Sequence, residues 1–138
     1  MTERMTMTVP GRPEYVGTVR MAIAHAAAGI GFDLEQIDDM KVAVSEACTN
    51  IICHAHDTSD FTYDIVWEIE ESGAAITVID KGVGFGVEDY VEPLPGELNG
   101  SGLGLFIIKA LMDEVDIESK PGAGTIIKMT KNLRNQNL

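Results

Sequence analysis

A β-hairpin between residues 61 and 79 is the feature that most limits the possible folds. Apolar side chains occupy every second position from Phe61 to Ile69, which is typical of a strand with one buried face. The turn Glu71-Ser72-Gly73 then leads into a second apolar strand from Ala74 to Ile79. A sheet that contains this hairpin has an apolar face, and another layer of secondary structure must cover that face.

Two helices precede the hairpin and can provide that layer. An apolar stripe at helical spacing follows Pro13 and ends at Gly31. Proline suits the first turn of a helix, and glycine suits its C-terminal cap. Asp33 and Gln36 have the spacing of a capping box, so they predict the start of a second helix.

The remaining elements complete an α/β fold. The patterns predict a first strand at Met5, Met7 and Val9 with one buried face, a long loop from Gly82 to Gly102, an apolar helix from Leu103 to Met112, and strands at Val115 to Glu118 and Thr125 to Thr130. The order β-α-α-β-β-α-β-β predicts a two-layer α/β sandwich, with helices on one face of a mixed sheet. No repeat or linker divides the chain, so residues 1–138 are expected to form a single domain.

Charge and composition exclude several classes of protein. The formal net charge is −12, which argues against a nucleic-acid partner because phosphate backbones are bound by clustered Lys and Arg. The two cysteines, Cys48 and Cys53, are expected to be reduced packing residues. The sequence has no signal peptide and no apolar run as long as the ~18 residues that a membrane span requires. We therefore expect a cytoplasmic protein that does not bind membranes.

The second helix carries a carboxylate and a carboxamide on one face. Glu46 and Asn50 are four residues apart, so their side chains point the same way. An amide oxygen is a hard ligand that suits Mg²⁺, and a carboxylate beside it can accept a proton from an attacking hydroxyl. Taken alone, such a pair is far more often two solvated residues of a helix than a functional pair.

Two glycine motifs follow this helix. Asp80 ends an apolar strand immediately before Gly82 and Gly84, where a carboxylate can accept a hydrogen bond from an exocyclic amine such as that of adenine. The run Gly100-Ser101-Gly102-Leu103-Gly104 leads into the apolar helix. Its backbone N–H groups and the positive end of the helix could hold phosphates. The run has neither the ending of a P-loop nor the preceding strand of a dinucleotide fingerprint.

In this order, the motifs resemble the ATP-binding boxes of the gyrase, Hsp90, histidine-kinase and MutL superfamily. The segments that carry the resemblance are Glu46/Asn50, Asp80/Gly82/Gly84, Gly100/Gly102/Gly104 and Gly122-Ala123-Gly124-Thr125. Within the superfamily, the chain is most similar to the bacterial anti-sigma serine-protein kinases of the anti-sigma-B type, through Pro13-Glu14-Tyr15-Val16-Gly17, Val42 to Asn50, His54-Ala55 and Leu111 to Val115. This similarity extends from about Val9 to Leu133.

The resemblance implies a Bergerat-type, histidine-kinase-like ATPase domain that binds Mg²⁺ and ATP. It implies Glu46 as the general base and Asn50 as the ligand of Mg²⁺. It further implies that Asp80 and Thr125 contact adenine, and that Gly82, Gly84, Gly100, Ser101, Gly102, Leu103 and Gly104 shape the pocket and the phosphate loop. Such kinases phosphorylate a serine of an anti-anti-sigma protein, bind and silence a sigma factor, and form homodimers. Arg20 resembles a partner-facing arginine of the family.

Two other functions remain open from the residues. A detached histidine-kinase ATPase domain would need an acceptor histidine followed by an acid, whereas His25 is followed by Ala26. A nucleotide-dependent module that binds partners with little kinase activity would retain the same pocket. The presence of Glu46 argues against a module that has lost its catalytic base.

Overall fold

The computed structural model describes residues 3–54, 60–81, 100–120 and 124–134. A 3-10 helix at Pro13–Tyr15 leads into the first helix. In chain order the strands and helices are β1 (Arg4–Pro10), α1 (Val16–Gly29), α2 (Leu34–His54), β2 (Thr62–Glu70), β3 (Gly73–Asp80), α3 (Gly100–Leu111), β4 (Glu114–Lys120) and β5 (Gly124–Asn132). Across these ranges, no helix is long and apolar enough to cross a membrane.

The strands form one five-stranded sheet in the order β1-β2-β3-β5-β4. Its core consists of apolar side chains from the three helices packed against alternate residues of the strands, which confirms the predicted two-layer α/β sandwich. A mixed sheet was predicted, whereas each pairing between described strands is antiparallel. Strands β2 and β3 form one hairpin, and β4 and β5 form another. The connection from β3 to β4 contains α3, and it leaves β5 antiparallel to β3.

The backbone confirms the predicted C-terminus of α1, and hydrogen bonds confirm the predicted N-terminus of α2. Gly31 has φ 101°, and this left-handed conformation, which favours glycine, ends α1. The Gln36 backbone N–H donates to Asp33 Oδ1 at 2.8 Å, and the Asp33 N–H donates to Gln36 Oε1 at 3.4 Å. The buried Gln36 side chain also donates from Nε2 to the Asn132 carbonyl at 2.7 Å. The start of α2 is thereby joined to the end of β5.

Helix α3 begins earlier than predicted. It spans Gly100–Leu111, so the glycine run forms its first turn instead of a loop before it, and the rest of the predicted loop lies outside the described residues. Glycine disfavours helices by about 1 kcal/mol relative to alanine, but tertiary packing overrides this local preference. The packing comes from Leu105, Ile108 and Met112, which are all buried.

Strand β1 lies at an edge of the sheet, and only part of its predicted apolar face is buried. Val9 is 4% exposed, whereas Met5 is 50% exposed. Both residues lie on the same side of the strand and pair with Tyr63 and Trp67 of β2. The N-terminal half of β1 therefore presents apolar surface to solvent.

Candidate active site

Helix α2 brings Glu46 and Asn50 together against the first turns of α3. A Cβ atom added to Gly104 would lie 3.1 Å from Glu46 Oε2 and 3.2 Å from Asn50 Nδ2. A side chain here would displace Glu46 or Asn50 by a few tenths of an ångström, so glycine allows the α3 backbone to approach both polar groups. The structure thus places three of the residues singled out in the sequence, Glu46, Asn50 and Gly104, in one cluster.

Asn50 has the features of a residue kept for a ligand. It is only 5% exposed, and its Nδ2 has no hydrogen-bond partner within the described residues. A buried polar atom without a partner lowers the stability of the folded protein by about 1–3 kcal/mol. A bound group that forms the missing hydrogen bond would remove this penalty. Rotation of the carboxamide by half a turn exchanges Nδ2 with Oδ1, so the same position can offer an oxygen to a cation.

Asp80 and Thr125 form a second polar cluster at one end of the sheet. They are paired across β3 and β5, and they are 2% and 1% exposed. The Thr125 and Ser119 hydroxyls are joined by a buried hydrogen bond of 2.7 Å. Ser119 was not identified from the sequence, because it lies just beyond the predicted end of its strand. The sequence feature that could have identified it is the alternation of Val115 and Ile117 with polar residues. This alternation places position 119 on the same face of the strand.

Gly124 makes the close approach of β5 to Asp80 possible. Its φ is 87°, in the left-handed region, and an added Cβ would lie 2.2 Å from the Asp80 carbonyl oxygen. Any other residue would meet both backbone strain and a steric clash. Glycine at this position therefore fixes where Thr125 enters the sheet beside Asp80.

The structure describes some of the remaining predicted site residues. Gly82 and Gly84 lie outside the described residues. Gly100, Ser101 and Gly102 belong to the first turn of α3, and Leu103 is half-buried. The first backbone N–H groups of a helix have no partner within it, and its N-terminus carries partial positive charge. The position of the run is thus compatible with binding phosphate, although the run lies within the helix and not in a loop before it.

The two clusters fit Mg²⁺ and ATP chemically. The buried carboxamide of Asn50 can supply a hard oxygen ligand, and the buried carboxylate of Asp80 can accept from an exocyclic amine. Glu46 is only partly buried, so a hydroxyl group of another molecule can reach it. These three side chains therefore have the chemistry that a metal ligand, a base-recognition group and a proton acceptor require.

The two cysteines differ from each other. Cys48 is fully buried, and burial raises its pKa to about 11. It is therefore a neutral thiol near pH 7 and packs in the core as predicted. Cys53 is exposed, and both cysteines are free, so the expectation of a packing role was wrong for Cys53.

Arg20 is exposed on α1, close to the residue that precedes Glu46. Its Nη1 donates to Ser45 Oγ at 3.3 Å, and Ser45 Oγ donates to the Lys41 carbonyl at 2.7 Å. The guanidinium group thus lies on the surface formed by α1 and α2. A partner that contacts Arg20 would also approach the helix that carries Glu46.

Sequence comparisons identify related proteins over nearly the whole chain. The family model described as "Histidine kinase-like ATPase domain" matches residues 9–131. A serine-protein kinase RsbW from Halalkalibacterium halodurans is 38% identical, over 96% of this chain and 85% of the relative. The serine-protein kinase RsbW from Bacillus pumilus is 36% identical, over 94% of this chain and 86% of the relative.

Two solved structures share the fold. The RsbU and RsbW domains of a Mycobacterium tuberculosis protein superpose with a TM-score of 0.70 at 23% identity, over 95% of this chain and 32% of that larger chain. The histidine kinase domain of a blue-light activated kinase from Erythrobacter litoralis superposes with a TM-score of 0.57 at 25% identity, over 88% of this chain and 60% of the other. Both likenesses support the two-layer α/β architecture.

Proposed function

Because the chain belongs to the histidine kinase-like ATPase family, and within it to the RsbW serine-protein kinases, we propose a dual function for it. It transfers the γ-phosphoryl group of ATP to a serine of an anti-anti-sigma protein of the STAS type. It also binds and inhibits a sigma factor. The observation that carries this proposal is the convergence of Glu46 and Asn50 on Gly104 of α3.

Each residue of the first cluster has a defined role in the transfer. When bound, Mg·ATP supplies an electrophilic phosphorus whose charge the metal helps to neutralise. Asn50 holds the ion through its carboxamide oxygen, and Glu46 accepts the proton of the incoming serine hydroxyl. The first turn of α3 directs backbone N–H groups at the phosphates. Orientation and charge stabilisation account for most of the catalysis in this type of reaction.

The second cluster recognises the base. Asp80 accepts a hydrogen bond from the exocyclic amine of adenine, and Thr125 contacts the ring beside it. The hydroxyl of Ser119 holds that of Thr125 at 2.7 Å, which restricts the directions in which Thr125 can donate. A guanine base carries an oxygen in place of the amine, so a buried carboxylate disfavours it.

The two protein partners meet the surface near Arg20. This arginine is exposed, and its guanidinium group is oriented by Ser45, the neighbour of Glu46. Phosphorylation of one partner would release this kinase to hold the other. The proposed transfer uses ATP, and the proposed binding partner is a component of the transcription machinery, so we place the protein in the cytoplasm, with no direct contact to nucleic acid or membrane.

A transfer assay tests the kinase function. Incubation with γ-labelled ATP, Mg²⁺ and a STAS-type anti-anti-sigma protein is expected to label one serine of that protein. Peptide mapping locates the label, and its stability in acid separates phosphoserine from phosphohistidine. Absence of label on each candidate tested, with sigma binding retained, would favour a partner-binding module. An acid-labile label would favour histidine phosphorylation.

We also propose that the protein is a homodimer that uses the exposed part of β1. Met5, at this sheet edge, lines an open groove of about 860 Å³ between β1 and α1, together with Met7, Ala26 and Trp67. A second copy can cover the groove and pair with the free edge of the strand. Such a contact is isologous and closes as a dimer.

Substitution of Met5 tests this interface. Met5→Glu places a charge in the groove and is expected to raise the dimer dissociation constant at least about tenfold, or by about 1.4 kcal/mol. Sedimentation equilibrium measures the change. Leu34→Glu is the matched control, because Leu34 is 81% exposed and lies at the start of α2. Equal dissociation constants for the two variants would refute the proposed interface.

A further inference from the structure

Besides their apolar packing, helices α2 and α3 meet at two polar positions, and only one of them belongs to the site described above. The first is the contact of Glu46 and Asn50 with Gly104. The second lies at the other end of α3 and is made by Lys131 of β5. This lysine is buried, although its side chain lies outside both polar clusters.

Lys131 joins three elements through one ammonium group. Its side chain is 7% exposed, and Nζ lies 3.1 Å from Asp39 Oδ2 of α2. Nζ also donates a hydrogen bond to the carbonyl of Leu111, the last residue of α3. The last carbonyl groups of a helix have no partner within it, and a cation is favoured beside them. The ammonium group thus fixes the C-terminus of α3 to both α2 and β5.

The two contacts lie at matching intervals along the helices. Asp39 and Glu46 are seven residues apart on α2, and Gly104 and Leu111 are seven apart on α3. Each interval is about 10.5 Å at the rise of an α-helix. The pairs Asp39 with Leu111 and Glu46 with Gly104 show that the helices run antiparallel. Two contacts at equal spacing set both the separation of the helices and their relative position along the axis.

We propose that Lys131 is a positioning residue for phosphoryl transfer, because it holds α3 at the register that places Gly104 against Glu46 and Asn50. This inference rests on the proposed kinase function. The lysine touches neither nucleotide nor acceptor. It acts by preventing α3 from sliding or tilting about its glycine-rich end. Small misplacements of reacting groups can cost about 10²-fold in rate.

Two variants of Lys131 separate positioning from stability. Lys131→Met removes the charge but keeps most of the aliphatic volume, and leaves the Asp39 carboxylate without this partner. The double variant Lys131→Met/Asp39→Leu removes both charges, and replacing a buried ion pair by apolar residues often preserves stability. The Leu111 carbonyl loses the Lys131 ammonium in both variants. Lys128→Met is the matched control, since Lys128 is on the same strand and pairs with Glu70 at 3.7 Å, with its side chain 42% exposed.

The measurements are kcat and KM for ATP, thermal unfolding, and hydrogen exchange of the α3 amides. In the double variant we expect unfolding close to that of the wild type, a fall in kcat of at least about tenfold that exceeds the change in KM, and faster exchange in α3 but not in α1. Lys128→Met is expected to match the wild type. A folded double variant with wild-type kcat and wild-type α3 exchange would overturn the proposal.

The exchange measurement also separates this proposal from the kinase function. If the wild-type protein transfers no phosphate to any acceptor, the proposed function fails, but the exchange rates still report on the contact at Leu111. Faster α3 exchange in Lys131→Met than in Lys128→Met supports the positioning role. Equal exchange in the two variants overturns it.

Discussion

Glu46→Ala is expected to lower kcat for serine phosphorylation by about 10³-fold, within the range attributed to a general base, and to leave the dissociation constant of Mg·ATP nearly unchanged. In the proposed mechanism the carboxylate acts on the acceptor hydroxyl, so its removal should affect the transition state more than nucleotide binding. Because Gly104 provides no side chain to occupy the vacated space, water can enter where the carboxylate was. Phosphorylation rates and calorimetric titration with Mg·ATP measure the two effects.

Glu35→Ala provides a control of the same residue type on the same helix. Glu35 lies at the exposed start of α2 and pairs with Arg134 at 2.8 Å, and exposed ion pairs of this kind contribute little. This variant should keep both wild-type kcat and wild-type binding. If Glu46→Ala stays folded but loses nucleotide binding together with transfer, Glu46 is a binding residue and the assignment as base is wrong.

Asn50→Leu is expected to change nucleotide binding and stability in opposite directions. Loss of the metal ligand should weaken binding of Mg·ATP by about 10²-fold, or about 2.7 kcal/mol. In the absence of nucleotide, the substitution removes a buried Nδ2 that has no partner among the described residues, so the free energy of unfolding should rise by about 1 kcal/mol. Calorimetric titration and denaturant unfolding without nucleotide measure the two quantities.

Gln36→Leu is the matched control for Asn50→Leu. Gln36 is also a buried amide of α2, at 2% exposure, but its side chain donates to the Asn132 carbonyl at 2.7 Å. Loss of a satisfied buried hydrogen bond costs about 1–3 kcal/mol, so this variant should be less stable and should bind Mg·ATP normally. A loss of stability in Asn50→Leu similar to that in Gln36→Leu would show that the Asn50 side chain stabilises the folded protein, which would contradict its assignment as a ligand-binding residue.

The parts of the fold that depend on local chemistry could be predicted from the sequence. The capping box of Asp33 and Gln36 and the terminal Gly31 involve residues within a few positions of each other, so their spacing is visible in the chain. The alternation in β2 was equally clear, because its inner face is buried by the helices. Glu46 and Asn50 could be placed on one face since helical geometry fixes that relation.

The parts that depend on distant contacts could not be predicted in this way. The start of α3 at Gly100 contradicts the local preference of glycine and follows from packing of the helix. Met5 is apolar and alternates correctly, yet it is exposed because the neighbouring elements cover only the other end of β1. Lys131 looks like a surface cation in the sequence, whereas its partner Asp39 is 92 positions away.

The hydrogen bond from Gln36 to Asn132 has a consequence for the order in which the molecule is assembled. It spans 96 positions, and Asp80 likewise meets Thr125 only when β5 joins β3. Contacts of such sequence separation form late in folding, because a long loop must close first. During synthesis, β5 must therefore leave the ribosome before Asp80 and Thr125 can pair. A nascent chain that lacks β5 can have Glu46 and Asn50 on α2 but lacks the second polar cluster.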